Sequence, residues 1–154
     1  MTFKDENRAL SEMIRELMWL RSHNVQFKEG DPQHDILMFA EAALTCLTLE
    51  HFVRIVLGAE AGDGDTLHPL LTKAIAKGLI RVPWPNQQEG IQRIRRVRNT
   101  LLHANYAQAA AQAGCSSVRE YFQKQFASEI EALYIITDFV VRQIDPATGK
   151  PRAV

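Results

Sequence analysis

The chain has 154 residues, enough for one domain with a substantial core. It has zero formal net charge, 46% hydrophobic and 23% charged residues, the composition of an ordinary globular protein. Bulk charge therefore cannot drive binding to a polyanion, and any such binding has to be local. Cys46 and Cys115 stand far apart and form no CxxC, which supports neither a disulfide framework nor a structural zinc site.

In chain order, Leu10, Met13, Ile14 and Leu17 repeat at helical spacing and predict a first helix from about Lys4 to Arg21. The opening residues lack a basic region followed by an apolar one, so no secretory signal is expected and a cytoplasmic location is the default. A polar break follows from His23 to Gly30. Asp31 then caps a helix with Pro32 at its first position, running to about Leu57 and stopping at Gly58. This helix is apolar nearly all round, as a central helix is. Ile36 to Leu57 is long enough to span a bilayer, but Glu41, Glu50, His51 and Arg54 within it would be costly there, and no membrane association is expected.

Ala59 to Asp65 reads as a Gly/Asp loop and Thr66 to Lys77 as a shorter helix ended by Gly78. Pro83-Trp84-Pro85 predicts a rigid turn. Asn86, with Glu89 three residues on, then caps a helix reaching toward Gly114, with a break near Ala104 and Asn105. Ser117 and Glu120 form a second capping box. After it, Val118, Phe122, Phe126, Ile130, Leu133, Ile136, Val140 and Ile144 predict one long helix ended by Pro146. The expectation is an all-α, up-and-down four-helix bundle with one additional short helix, a single domain over 1–145, and a disordered tail over 146–154.

The chemistry concentrates in the fourth segment. Arg93, Arg95, Arg96 and Arg98 form the only basic block, and no Asp or Glu occurs from Gly90 to Val118. On a helix, Ile94, Val97, Leu101 and Ala104 share the face expected to pack inward. Arg98 then lies roughly 80° from its centre, and Asn99 and His103 roughly 140–180° away. Asn99 and His103 are i, i+4 neighbours, with Leu102 and Tyr106 in the same outer sector. A second copy of the chain is the simplest occupant of such a mixed face.

Val97-Arg98-Asn99-Thr100-Leu101-Leu102-His103-Ala104, preceded by a long helix carrying LTLEHFVRIVL and followed by a long amphipathic one, resembles the HEPN superfamily of helical nucleotide-binding domains. The likeness spans roughly Asp31 to Ile144 by element order. It implies a homodimer through the motif helix, with RNA as substrate, no metal and no cofactor. Arg98 and His103 would be catalytic, with Asn99 orienting the histidine. It also implies a polar residue on the preceding long helix, for which Glu50, in an otherwise apolar run, is the candidate. Arg95, Arg96 and Tyr106 would help hold the substrate. Family members work as endoribonucleases in toxin–antitoxin and phage-defence systems, which implies an antitoxin partner. Other members are silent modules that bind nucleic acid, nucleotide or protein. Where some of these toxins carry a modified tyrosine two residues past the histidine, this chain has Asn105, with Tyr106 one position later.

Other chemistries lack their residues. No ExxH pair of a di-iron bundle occurs, Gly58, Gly62 and Gly64 lack the Gly-Lys-Ser/Thr of a phosphate loop, and Asp63-Gly64-Asp65 lacks the rest of an EF-hand. His23, His34, His51 and His68 show no ligand spacing, and Trp19 and Trp84 read as packing residues.

Overall fold

A computed structural model describes residues 3–24, 32–102, 106–121, 124–125, 127–145 and 148–152. The chain is all-α. Among the described residues its helices are α1 (Phe3–Asn24), α2 (Pro32–Leu57), α3 (Leu67–Ala76), α4 (Gln87–Leu102), α5 (Tyr106–Gln112), α6 (Val118–Tyr121) and α7 (Ala127–Val141), with a 3₁₀ turn over Gly58–Glu60. No strand occurs among the described residues.

The core forms around α2, which touches α1, α3, α4 and α7. Met38, Ala42, Cys46, Leu49, Phe52 and Val53 are buried along it. They meet Leu17 of α1, Leu67, Leu70 and Leu71 of α3, Ile91 and Ile94 of α4, and Ile130, Leu133, Ile136 and Val140 of α7. The buried threonines of α2 and α7 return their hydroxyl protons to the preceding turn: Thr45 to the Glu41 carbonyl (2.7 Å), Thr48 to that of Leu44 (2.7 Å), and Thr137 to that of Leu133 (2.9 Å). Glu41, also buried, accepts from Arg21 Nη1 at 2.7 Å. The same guanidinium donates to Glu131 at 2.6 Å and lies 3.7 Å from the Tyr134 ring centroid. One arginine of α1 thereby ties α2 to α7. By length and composition alone, Ala40–Glu60 could cross a bilayer, yet its Glu41 and Glu50 are ion-paired with arginines of α1 and α4.

α2 spans the residues its sequence predicts. It ends where Gly58 takes φ +59°, a conformation that costs a side-chain-bearing residue energy. The expected cap Asp31 lies outside the described residues. Arg54, in the last turn of α2, reaches forward past Gly58 to fasten the loop, donating to the carbonyls of Gly62 (3.0 Å) and Asp65.

The stretch expected as one long helix is described in three pieces. α6 ends at Tyr121, Lys124 and Gln125 are π-helical, and α7 begins at Ala127. A π turn takes up more residues than an α turn, so the residues before it change face relative to those after it. Tyr121 is accordingly buried, while Ile130, Leu133, Ile136, Val140 and Ile144 hold the expected stripe. Phe122 and Phe126 lie outside the described residues. The second capping box also closes differently. The Ser117 hydroxyl accepts from the Glu120 N–H (3.1 Å), but the Glu120 carboxylate takes the N–H and hydroxyl of Ser116, both at 2.6 Å.

Residues 148–152, expected as part of a disordered tail, fold back on the end of α7. Asp145 N–H donates to the Lys150 carbonyl (2.9 Å), Arg152 N–H to that of Gln143 (2.8 Å), and Ile144 and Pro151 form an antiparallel bridge. These backbone bonds tie down a segment that composition alone leaves free. Pro146 lies outside the described residues.

The Pro83-Trp84-Pro85 segment packs directly on the first turn of α4. A Cβ on Gly90 would sit 2.5 Å from Val82 Cγ2 and 2.6 Å from Trp84 Cε3. Gly90→Ala is therefore expected to destabilise the fold by about 1–3 kcal/mol, despite alanine's better helix propensity. Urea unfolding followed by tryptophan fluorescence measures this, and an unchanged or raised midpoint would contradict the packing.

Candidate functional site

The turn and α4 are locked together by Gln87. Its Oε1 accepts from Val82 N–H (2.8 Å), and its Nε2 donates to the carbonyls of Val82 (2.9 Å) and Trp84 (2.6 Å). Asn86 Oδ1 caps the helix by accepting from Glu89 N–H at 3.2 Å, as its position predicts. The Glu89 carboxylate turns outward to Arg93 at 2.7 Å.

Ile94 and Val97, two members of the inner face that the apolar spacing predicts, do pack against the core. Ile91 and Ile94 are buried and Val97 only half-buried; the side chain of Leu101, and Ala104 altogether, lie outside what is described. α4 packs against α3, with α2, α5 and α7 as further neighbours, and Ile91 and Ile94 are buried on its inner face. Arg98 stands seven and four residues after those isoleucines, so its guanidinium lies on the inner stripe rather than beside it.

There it meets Glu50. Arg98 Nη2 is 3.7 Å from Glu50 Oε2, and the two side chains are only 19% and 21% exposed. Glu50 Oε1 is also 3.7 Å from Arg54 Nη2, so one carboxylate stands between two cations. Among the described residues, the buried Arg98 Nε has no hydrogen-bond partner. The guanidinium thus has a charge partner but retains a donor unused. Cys46, one turn before Glu50, belongs to the same neighbourhood. Burial pushes its thiol up to about 12, with the Arg98 charge drawing it down and Glu50 adding to the rise.

Arg95 and Asn99 extend the Arg98 surface. With Thr66, Leu67 and His68 at the start of α3, the three line a notch of about 40 Å³. This admits a water molecule, not a nucleotide, so a nucleic acid would lie across its mouth. Gln92 Nε2 and His68 Nε2 are 3.3 Å apart on the same side of α4. Arg95, Arg98 and Asn99 therefore share one notch, with Glu50 beside Arg98. Arg96 is not among them: with Arg93 it borders a separate cleft. Tyr106 opens α5 half-buried against the core, where desolvation pushes its phenol up. His103 lies outside the described residues.

Sequence reading missed two groups. Tyr121 is buried and donates to Glu129 Oε2 at 2.5 Å across the π turn. Burial pushes both groups up, the Tyr121 hydrogen bond opposing the rise at Glu129. No sequence signal marked the irregular turn between them. Among the described residues, no three His, Cys, Asp or Glu side chains converge in a way that could hold a metal ion. No protein-family model, curated protein or solved structure matches the chain.

Removing the carboxylate beside a mostly buried guanidinium should cost more than removing one from an exposed pair. Glu50→Gln is expected to lower stability by about 1–3 kcal/mol. Glu89→Gln, whose pair with Arg93 is about half exposed on each side, should change it by less than about 1 kcal/mol. Chemical denaturation of both variants tests the ranking, and equal effects would contradict it. The buried Cys46 should also resist a thiol reagent in the folded protein and react after denaturation, whereas the half-buried Cys115 labels first. Rapid native labelling of both would place Cys46 elsewhere.

Proposed function

We propose that the chain is a HEPN-type four-helix bundle with added short helices, acting as a homodimeric, metal-independent endoribonuclease in a toxin–antitoxin or phage-defence setting. The observation that carries this reading is Arg98: a mostly buried guanidinium, held beside Glu50, keeping an unused donor next to Asn99. A cation fixed before substrate arrives needs little reorganisation to stabilise charge developing on a phosphate. Within the basic block Arg93 is paired with Glu89 and Arg98 with Glu50, and no Asp or Glu follows in sequence from Gly90 to Val118.

RNA supplies its own nucleophile. The 2′-oxygen attacks phosphorus, the bond from phosphorus to the 5′-oxygen breaks, a base accepts the 2′-hydroxyl proton, and an acid protonates the leaving 5′-oxygen. Imidazole titrates near neutrality and suits both proton roles, so His103 from each copy of a dimer would serve as base and acid. Arg98 would carry the non-bridging oxygens, Asn99 would orient the histidine, Arg95 would hold a neighbouring phosphate, and Glu50 would keep Arg98 in place. A second reading is a catalytically silent module binding nucleic acid, nucleotide or a protein partner such as an antitoxin. What favours it is the four-fifths burial of Arg98 against Glu50.

The test is incubation of labelled single-stranded RNA with the pure protein in EDTA. Cleavage to 2′,3′-cyclic phosphate and 5′-hydroxyl ends is expected. His103→Ala should abolish it while preserving the dimer in light scattering, and Arg98→Ala should slow it by about 10²-fold or more. Cleavage that requires a divalent metal, or full activity of His103→Ala, would overturn the mechanism. Binding without cleavage would select the silent module.

A further inference from the structure

On the side of α4 facing away from the Arg98 notch, a cleft of about 550 Å³ opens among α4, α5, α6 and α7. That volume is within the range of small-molecule sites. Its apolar wall includes Ile94, Leu133 and Ile136, three buried side chains from two helices. Trp84, half-buried, adds an indole ring.

The polar groups around this wall differ in what they leave available. Tyr121 and Glu129 are closed on one another by the 2.5 Å hydrogen bond. Arg93 and Arg96, one turn apart on α4, both border the cleft. Arg93 donates to Glu89 on the exposed side and stands 5.8 Å from the Trp84 ring. Arg96 makes no ion pair with an acid among the described residues. An apolar hollow bordered by cations, one of them without an acidic partner there, is matched by a ligand that joins a hydrophobic body to an acid group. A cation would be repelled by the arginines, and a neutral hydrocarbon would leave their donors unused.

We propose that this cleft is a binding site for a small organic anion with a flat hydrophobic body. The ring occupies the apolar wall beside Trp84, and the acid group is held by Arg96 with Arg93 in support. The site is separate from the RNA chemistry proposed for Arg98, since the two lie on different sides of α4.

The test uses the full chain in a Trp19→Phe background, which leaves Trp84 as the only tryptophan. The probe is 2-naphthoate, with neutral 2-naphthol as its uncharged counterpart. Calorimetry should show saturable binding of one 2-naphthoate per chain, accompanied by a change in Trp84 fluorescence. Arg96→Gln should weaken 2-naphthoate by about tenfold or more while moving 2-naphthol little. Ala132→Trp, at an exposed position on the lining, should block both compounds without unfolding the chain, as far-ultraviolet circular dichroism checks. No saturable binding up to about 1 mM, binding unchanged in Ala132→Trp, or equal loss of both compounds in Arg96→Gln would overturn the proposal. RNA cleavage plays no part in the readout, so its failure leaves this result unaffected.

Discussion

A helix with apolar side chains on nearly every side cannot stand in water, and α2 is such a helix. Covering it fixes where α1, α3, α4 and α7 lie. Its few charged side chains then become fixed points, because a carboxylate drawn from water must find a partner. Glu41 finds Arg21, which also reaches Glu131 on α7. Glu50 finds Arg98 and Arg54, and Arg54 in turn holds the loop leading to α3. The hydrophobic surface supplies the driving force, while these pairs specify which faces meet.

α4 gains its two-sided character from this arrangement. Its inner stripe runs from Ile91 through Ile94 to Arg98, placing one guanidinium in the packed interior and Asn99 at its edge. The arginines one turn apart on the other flank, Arg93 and Arg96, border a cleft built with α5, α6 and α7. A basic block that reads as one patch in the sequence is thereby divided by the helix into two environments. One is a shallow surface beside a held cation. The other is a deeper hollow with an apolar wall. The polarity of each follows from the helix packed against that flank, not from the arginines themselves.

Much of this was legible in the sequence where a signal is local. Pro32 and Gly58 bracket α2, Asn86 caps α4, and the apolar spacing from Ile130 to Ile144 gives the buried face of α7. Glu50 stood out as an acid in an apolar run, and it does face Arg98. The burial of Arg98 was not legible, because an arginine reads as polar and its burial depends on a carboxylate from another helix. Arg96 was grouped with Arg95 by adjacency, although about 100° of helix rotation separates them. The π turn at Lys124 and Gln125 leaves no compositional mark, so the burial of Tyr121 and its bond to Glu129 could not be read in advance. The returning segment over 148–152 is held by backbone bonds, which composition does not report.

The central claim is that Glu50 holds Arg98 across the contact between α2 and α4. A double-mutant cycle with Glu50→Gln, Arg98→Met and the combined variant, read by equilibrium unfolding, measures that coupling directly. The account requires a coupling of about 1 kcal/mol or more, with the pair of changes costing less than the sum of the single ones. Strict additivity would mean that the two side chains do not act on one another, and the account of a held cation would fail.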